Sequence, residues 1–126
     1  MPFTFSIEKK SDYLLIKSKG TIETLEEHIS LNKKEAELIL KSNIRKVIVD
    51  ESQTLYSSSY TGILNTAMLI NEYMESIPDQ IKLFKIASIV KKEFLKEAYF
   101  WETYSRNRGY NVRIFFTIED AINYIK

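Results

Sequence analysis

Val47, Ile48 and Val49 stand in a row between Lys46 and Asp50. Successive side chains of a strand point to opposite faces, so three β-branched residues in sequence make a strand that is apolar on both sides. Such a strand belongs in the middle of a sheet whose two faces are both covered, the arrangement of parallel α/β folds. The residues downstream agree. ESQTLYSSS (51–59) is hydroxyl-rich, and the next stretch carries Ile63, Ala67, Ile70, Met74 and Ile77 at helical spacing before Pro78. The pattern predicts a strand that runs out at Asp50, a loop from residue 51, and a helix opening near Gly62.

The rest of the chain fits around that centre. FTFSIEK (3–9) and YLLIKSK (13–19) are β-prone runs separated by Lys10, Ser11 and Asp12, which predicts a hairpin closed by Gly20. Thr24 and Glu27 have the spacing of a capping box. Leu25, Ile29, Ala36, Ile39 and Leu40 come next on one helical face, interrupted by Asn32, where a break near 30–32 fits the pattern. IKLFKIASIV (81–90) supplies a fourth strand. From Lys91 a helix is expected with Phe94, Leu95, Ala98, Trp101 and Ser105 inward, and Gly109 suits a left-handed cap. NVRIFF is a fifth strand, and Thr117 caps a last helix with Ala121, Ile122 and Ile125 inward. The order ββαβαβαβα predicts an N-terminal hairpin followed by βαβαβα units. It calls for a mostly parallel five-stranded sheet covered by helices, with one antiparallel strand at or near an edge.

Composition narrows the function classes. The 126 residues are the size of a single domain, spanning 1–126. Eighteen Lys and Arg against seventeen Asp and Glu leave a net charge of +1, without the basic surplus of a nucleic-acid binder. With no cysteine there is no disulfide, thiol nucleophile or thiolate metal site. No apolar run reaches the length of a membrane span, and no secretory signal is visible, so a soluble cytoplasmic protein is expected. The one histidine, His28, has no partner at motif spacing and reads as a surface or helix-flank residue. No phosphate loop, dinucleotide fingerprint or nucleophile elbow is present. No cofactor or metal is called for.

KIASIV, the helix FLKEAYFWETYSRNRG and the run YNVRIFFTIEDAINYI resemble the STAS domains, the family of the anti-sigma-factor antagonists. The likeness is nearest to the STAS-like (STAS/CRAL-TRIO-like) single-domain proteins of bacteria, and the element order carries it over nearly the whole chain. In that family a strand ends in Asp, and Asp-Ser-Ser-Gly-Leu-Gly opens the next helix. The Ser before the first Gly is the phosphate acceptor in partner-switching members. VIVD keeps the strand and Asp50. With one inserted residue, Ser59-Tyr60-Thr61-Gly62-Ile63-Leu64 lies over the signature, so the resemblance puts Thr61 at the acceptor position and Gly62 at the glycine. Ser59, Tyr60 and Leu64 depart from the signature.

Several roles stand side by side for these residues. A helix start favours a phosphate through its free amides and dipole, so Asp50, Ser58, Ser59, Thr61 and Gly62 form a candidate phospho-acceptor or partner-contact site. Ser58, Ser59 or Thr61 as a plain helix cap is the simpler role. Asp50 and Glu51 are adjacent on a strand and point apart, so no shared reaction centre is expected, and Asp50 is expected to bond the 57–59 loop. Phe100 falls opposite the inward stripe of its helix, flanked by Tyr99 and Tyr104, which makes these three a candidate self-association patch. The expectation is a non-enzymatic regulatory or interaction module of STAS-like type, phospho-regulated at 57–62. Its partner would be a regulatory kinase, an anti-sigma-like factor or a second copy of itself. The alternative is a small carrier or sensor of an apolar ligand or lipid, which the CRAL-TRIO likeness implies. An enzyme using Asp50 or Glu51 is the third.

Overall fold

The computed structural model describes residues 3–57 and 77–126. Five strands make one sheet in chain order: β1 (Thr4–Lys9), β2 (Leu14–Ile22), β3 (Lys46–Tyr56), β4 (Lys85–Ile89) and β5 (Asn111–Phe115). β1 lies antiparallel on β2 at one edge, and the remaining three pairings are parallel. β3 is central, as its apolar run requires. The described helices are α1 (Leu25–Ser42), α2 (Leu95–Asn107) and α3 (Ile118–Ile125), with 3-10 turns at Asp79–Leu83 and Lys92–Phe94. The α/β class, the hairpin and the mostly parallel five-stranded sheet are those expected. The expected helix over 60–77 falls almost wholly outside the described residues, as do Ser58, Ser59, Thr61 and Gly62.

Local chemistry sets the helix ends. Thr24 Oγ1 accepts from the Glu27 amide at 3.1 Å, and Glu27 Oε1 accepts from the Thr24 and Glu23 amides at 3.1 and 2.8 Å. The capping box is complete, and α1 ends on Asn43 in the left-handed region. α1 runs unbroken through Asn32, contrary to the break allowed for at 30–32. Its buried face is also turned from the expected one: His28, Leu31, Glu35, Ala36 and Ile39. Thr117 Oγ1 caps α3 by accepting from the Asp120 amide at 3.2 Å. Gly109 takes a φ of 93° just after α2, where its missing side chain matters.

Two cores lie on the two faces of the sheet. The first joins Leu14, Ile16, Val47, Val49 and Ile86 to Leu31 and Ile39 of α1, Trp101 of α2 and Ile81 of the first 3-10 turn. On the other face Leu15, Ile48, Ala87 and Ile89 pack on Ala121 and Ile125 of α3. β3 differs from expectation at its far end: it continues past Asp50 to Tyr56, where the sequence predicted a loop. The cause is a bulge. Lys17 pairs with Asp50 but Lys19 pairs with Gln53, so Ser18 alone opposes Glu51 and Ser52. Before the bulge the odd residues Val47 and Val49 face the first core; after it the even residues Thr54 and Tyr56 do. The polar stretch 51–54 therefore reads as a loop while remaining a strand.

Candidate functional site

Towards the carboxyl ends of the strands the first face turns polar: Ser18 on β2, Glu51 and Thr54 on β3, and Ser88 on β4. In α/β sheets this end is where binding sites collect. Ser18 and Thr54 share a buried hydroxyl bond of 2.8 Å. Above them the inward face of α1 presents His28, Asn32 and Glu35 in place of aliphatic residues. A cavity of about 120 Å³ lies between, walled by Ala36, Ile39, Val49 and Val112 and reached by Asn32, Glu35, Glu51, Ser88 and Tyr110. A smaller one of about 80 Å³ adjoins it, lined by His28, Tyr56, Trp101 and Glu102, with Glu51 and Ser88 common to both.

Glu35 and Glu51 face each other here, close enough to interact. Glu35 is only 6% exposed, and its Oε2 makes no hydrogen bond. Burial pushes its carboxyl well above the usual carboxylate range, and the negative charge of Glu51 adds to that, while Ser18 opposes it. Glu51 is raised too, by burial first and also by Asp50, with its bond to Glu35 acting against the rise. Two buried carboxyls facing one another resist ionising together, so at least one retains its proton near neutrality. His28 is the reverse case. Burial alone pulls it down to about 3, so the ring is neutral. It is held edge-on by Tyr56 at 5.5 Å and Trp101 at 5.6 Å.

The residues singled out from the sequence are scattered by comparison. Asp50 lies mid-strand, half-buried, and its Oδ1 accepts from the Ser52 amide at 3.0 Å. It supports the bulge and does not bond the described part of the 57–59 loop: the Ser57 amide donates to the Ile22 carbonyl at 2.9 Å. Glu51 points away from Asp50, as alternation requires. Tyr99 is exposed, but Phe100 is not the outward ring expected. It is half-buried and packs on the first core, with Trp101 at 5.8 Å and Tyr104 at 4.9 Å. Its packing against Trp101 and Tyr104 is a contact that a wheel of Cα directions does not capture. His28, expected at the surface, is 2% exposed. Glu35 was missed. Its signal was present: phasing α1 on Leu31, with His28 and Glu35 three and four residues away, puts all three on one stripe.

Among the described residues no cluster of three or more His, Cys, Asp or Glu side chains suits a metal ion, and no helix is long and apolar enough to cross a membrane. No family model matches the chain, and no curated protein sequence matches it. Solved structures do. An anti-sigma factor antagonist from Mycobacterium paratuberculosis aligns over 98% of this chain and 93% of its own, with a TM-score of 0.59 at 10% identity. An uncharacterised protein of the DUF3478 family from Shewanella loihica PV-4, described as having a SpoIIAA-like fold, aligns over the same shares with a TM-score of 0.53 at 17% identity. Identity this low speaks for the fold. With its hairpin edge, its chain-ordered parallel strands and helices on both faces, the chain has the STAS-like fold.

Proposed function

We propose that the chain is a non-enzymatic regulatory module that works by engaging a protein partner through the segment after β3. The observation that carries this reading is the likeness, over 98% of the chain, to a structure described as an anti-sigma factor antagonist. The end of β3 is pinned to β2 where the Ser57 amide donates to the Ile22 carbonyl at 2.9 Å, just before the segment 58–62 in the chain. Thr61, with Ser58 and Ser59 beside it, is the acceptor for a regulatory kinase in this reading. A phosphate there would add close to two negative charges where a partner docks. The test is a parallel partner capture from extracts of the native host with wild type and Thr61→Glu, together with phosphopeptide mapping across 57–62. A partner retained by the wild type and lost from the variant, with phosphate on Thr61, supports the switch. An identical partner set and no phosphate would remove it.

A second reading, a sensor of a small ligand, is favoured by the cavity on the first face. Its volume of about 120 Å³ limits the guest. A cavity of about 150 Å³ holds one benzene, so the space suits a compact molecule better than an acyl chain. Two carboxyls in the wall also argue for a guest with polar groups. Thermal stabilisation by a compact guest, and none by fatty acids, checks this reading: saturation at about 100 times Kd adds about 2.7 kcal/mol.

A further inference from the structure

We propose that Glu35 and Glu51 form the recognition end of a binding site for a small aliphatic ammonium ion carrying one acceptor oxygen. This deepens the ligand-sensing reading and rests on it; it is independent of the partner switch at Thr61. The geometry has three parts. Two carboxyls from different elements, α1 and β3, converge on one cavity, and Oε2 of Glu35 points to no donor although the residue is only 6% exposed. Buried polar atoms are almost always bonded, so a vacant carboxylate oxygen in a cavity marks room for a donor. Nδ2 of Asn32, one turn before Glu35, is buried and also without an acceptor. Beside them Ala36 and Ile39 of the same helix, with Val49 of β3, make an apolar wall. Donor wanted, acceptor wanted and apolar wall together describe an ammonium, a hydroxyl or carbonyl oxygen, and a short branched hydrocarbon.

Charge decides between a cation and a neutral donor. The described residues lining the cavity include no Lys or Arg, and residues 58–76 contain no Lys, Arg or His at all. His28, which meets Glu51 in the adjoining cavity, is held neutral. The described lining thus offers no cation to pair with the two carboxyls once they ionise. An ammonium has three donors, enough to bond both carboxylates at once, and such charge-assisted bonds are the stronger kind. A divalent metal is a poorer match, since two carboxyls beside an aliphatic wall fall short of the oxygen ligands it needs. Judged against the benzene-sized cavity, the volume admits about five non-hydrogen atoms.

Binding such a cation displaces the proton that the carboxyl pair holds, so affinity should rise with pH. The other titratable groups nearby are Asp50 beside Glu51, Tyr110 in the cavity wall, and Glu102 and His28 in the adjoining cavity. Asp50 and Glu102 add negative charge and act in the same direction; neutral His28 does not oppose them.

The experiment uses the whole chain and three probes: 2-aminopropan-1-ol hydrochloride, propane-1,2-diol with hydroxyl in place of the amine, and sodium chloride at matched ionic strength. Binding is read by calorimetry and by amide shifts of Glu35, Glu51 and Asn32. The expected result is saturable binding of the amino alcohol, tightening as pH rises, with the diol and the salt silent. In Glu35→Gln and Glu51→Gln, binding should weaken by about tenfold to a hundredfold, the worth of one bond to a charged group. Gln keeps the shape of the protonated acid, and the diol arm on wild type needs no variant to fold. Equal binding of diol and amino alcohol would overturn the carboxyl recognition while leaving a small-ligand sensor standing. Silence of both at every pH would overturn this inference and the sensor reading together. Amide shifts confined to other residues would overturn the site.

Discussion

His28 and Glu35 sit one above the other on α1, and the same burial acts on them in opposite senses. His28 is kept neutral with its pKa near 3, below the unfolded value of about 6.5. Stability from this group is present above about pH 6.5 and is lost as the pH falls towards 3. The full loss is about 5 kcal/mol. The His28 ring resonances should stay unmoved as the pH is lowered from 8 to about 5. A titration near 6.5 would mean that the ring is open to water. Glu35 and Glu51 are raised in the folded state, so their contribution is fully present at low pH and declines as pH rises through the folded values. Glu35→Gln should therefore raise the melting temperature at alkaline pH and flatten its pH dependence, which calorimetry across the range would measure. These burials were illegible from the sequence for a simple reason. A histidine on a helix is buried or not according to Tyr56 and Trp101, which come from a strand and a helix far along the chain.

At the scale of single elements the sequence was legible where one local rule governs. The capping box of α1 is present as spaced, and Thr24→Ala should cost about 1 kcal/mol in denaturant unfolding. The end of β3 was not legible, because a bulge resets the alternation that identifies a strand. Glu51 and Ser52 share one partner position, and a polar stretch with broken parity looks like a loop. Asp50→Ala removes the acceptor for the Ser52 amide and should destabilise by about 1–2 kcal/mol, seen as faster amide exchange at Ser52 and Gln53. α2 separates two aromatic roles that looked alike. Phe100→Glu puts a charge where a ring packs on Trp101 and Tyr104, so it should destabilise the fold by about 2 kcal/mol or more. Tyr99→Glu, at an exposed position, should change stability by less than about 0.5 kcal/mol. Tyr99 is therefore the clean probe of self-association through this helix. We propose that the variant shifts sedimentation at high concentration towards monomer; an unchanged profile would remove Tyr99 from any such contact.

For the whole molecule, the fold followed from the alternation of β-prone runs and helical stripes, and from one strand apolar on both faces. The central place of β3 and the edge place of an antiparallel strand were legible too, while the full order along the sheet was not, since right-handed crossovers leave several arrangements. The candidate cavity was not, because it depends on how two inward-facing carboxyls on separate elements meet. The strand order has a further consequence for how the molecule is made. Each strand pairs with the one synthesised before it, so on the ribosome every new strand meets a partner already in place. No gap is left for a later segment to thread. The chamber on the first face is finished on a different schedule. Val49 and Glu51 of β3 in its floor, and the helix carrying His28 and Glu35, are made before α2 brings Trp101. A nascent chain halted before Leu95 would hold the carboxyl pair without the wall that Trp101 helps to build. The chamber is thus completed late in translation, and a chain caught before that point is the one most exposed to misassembly.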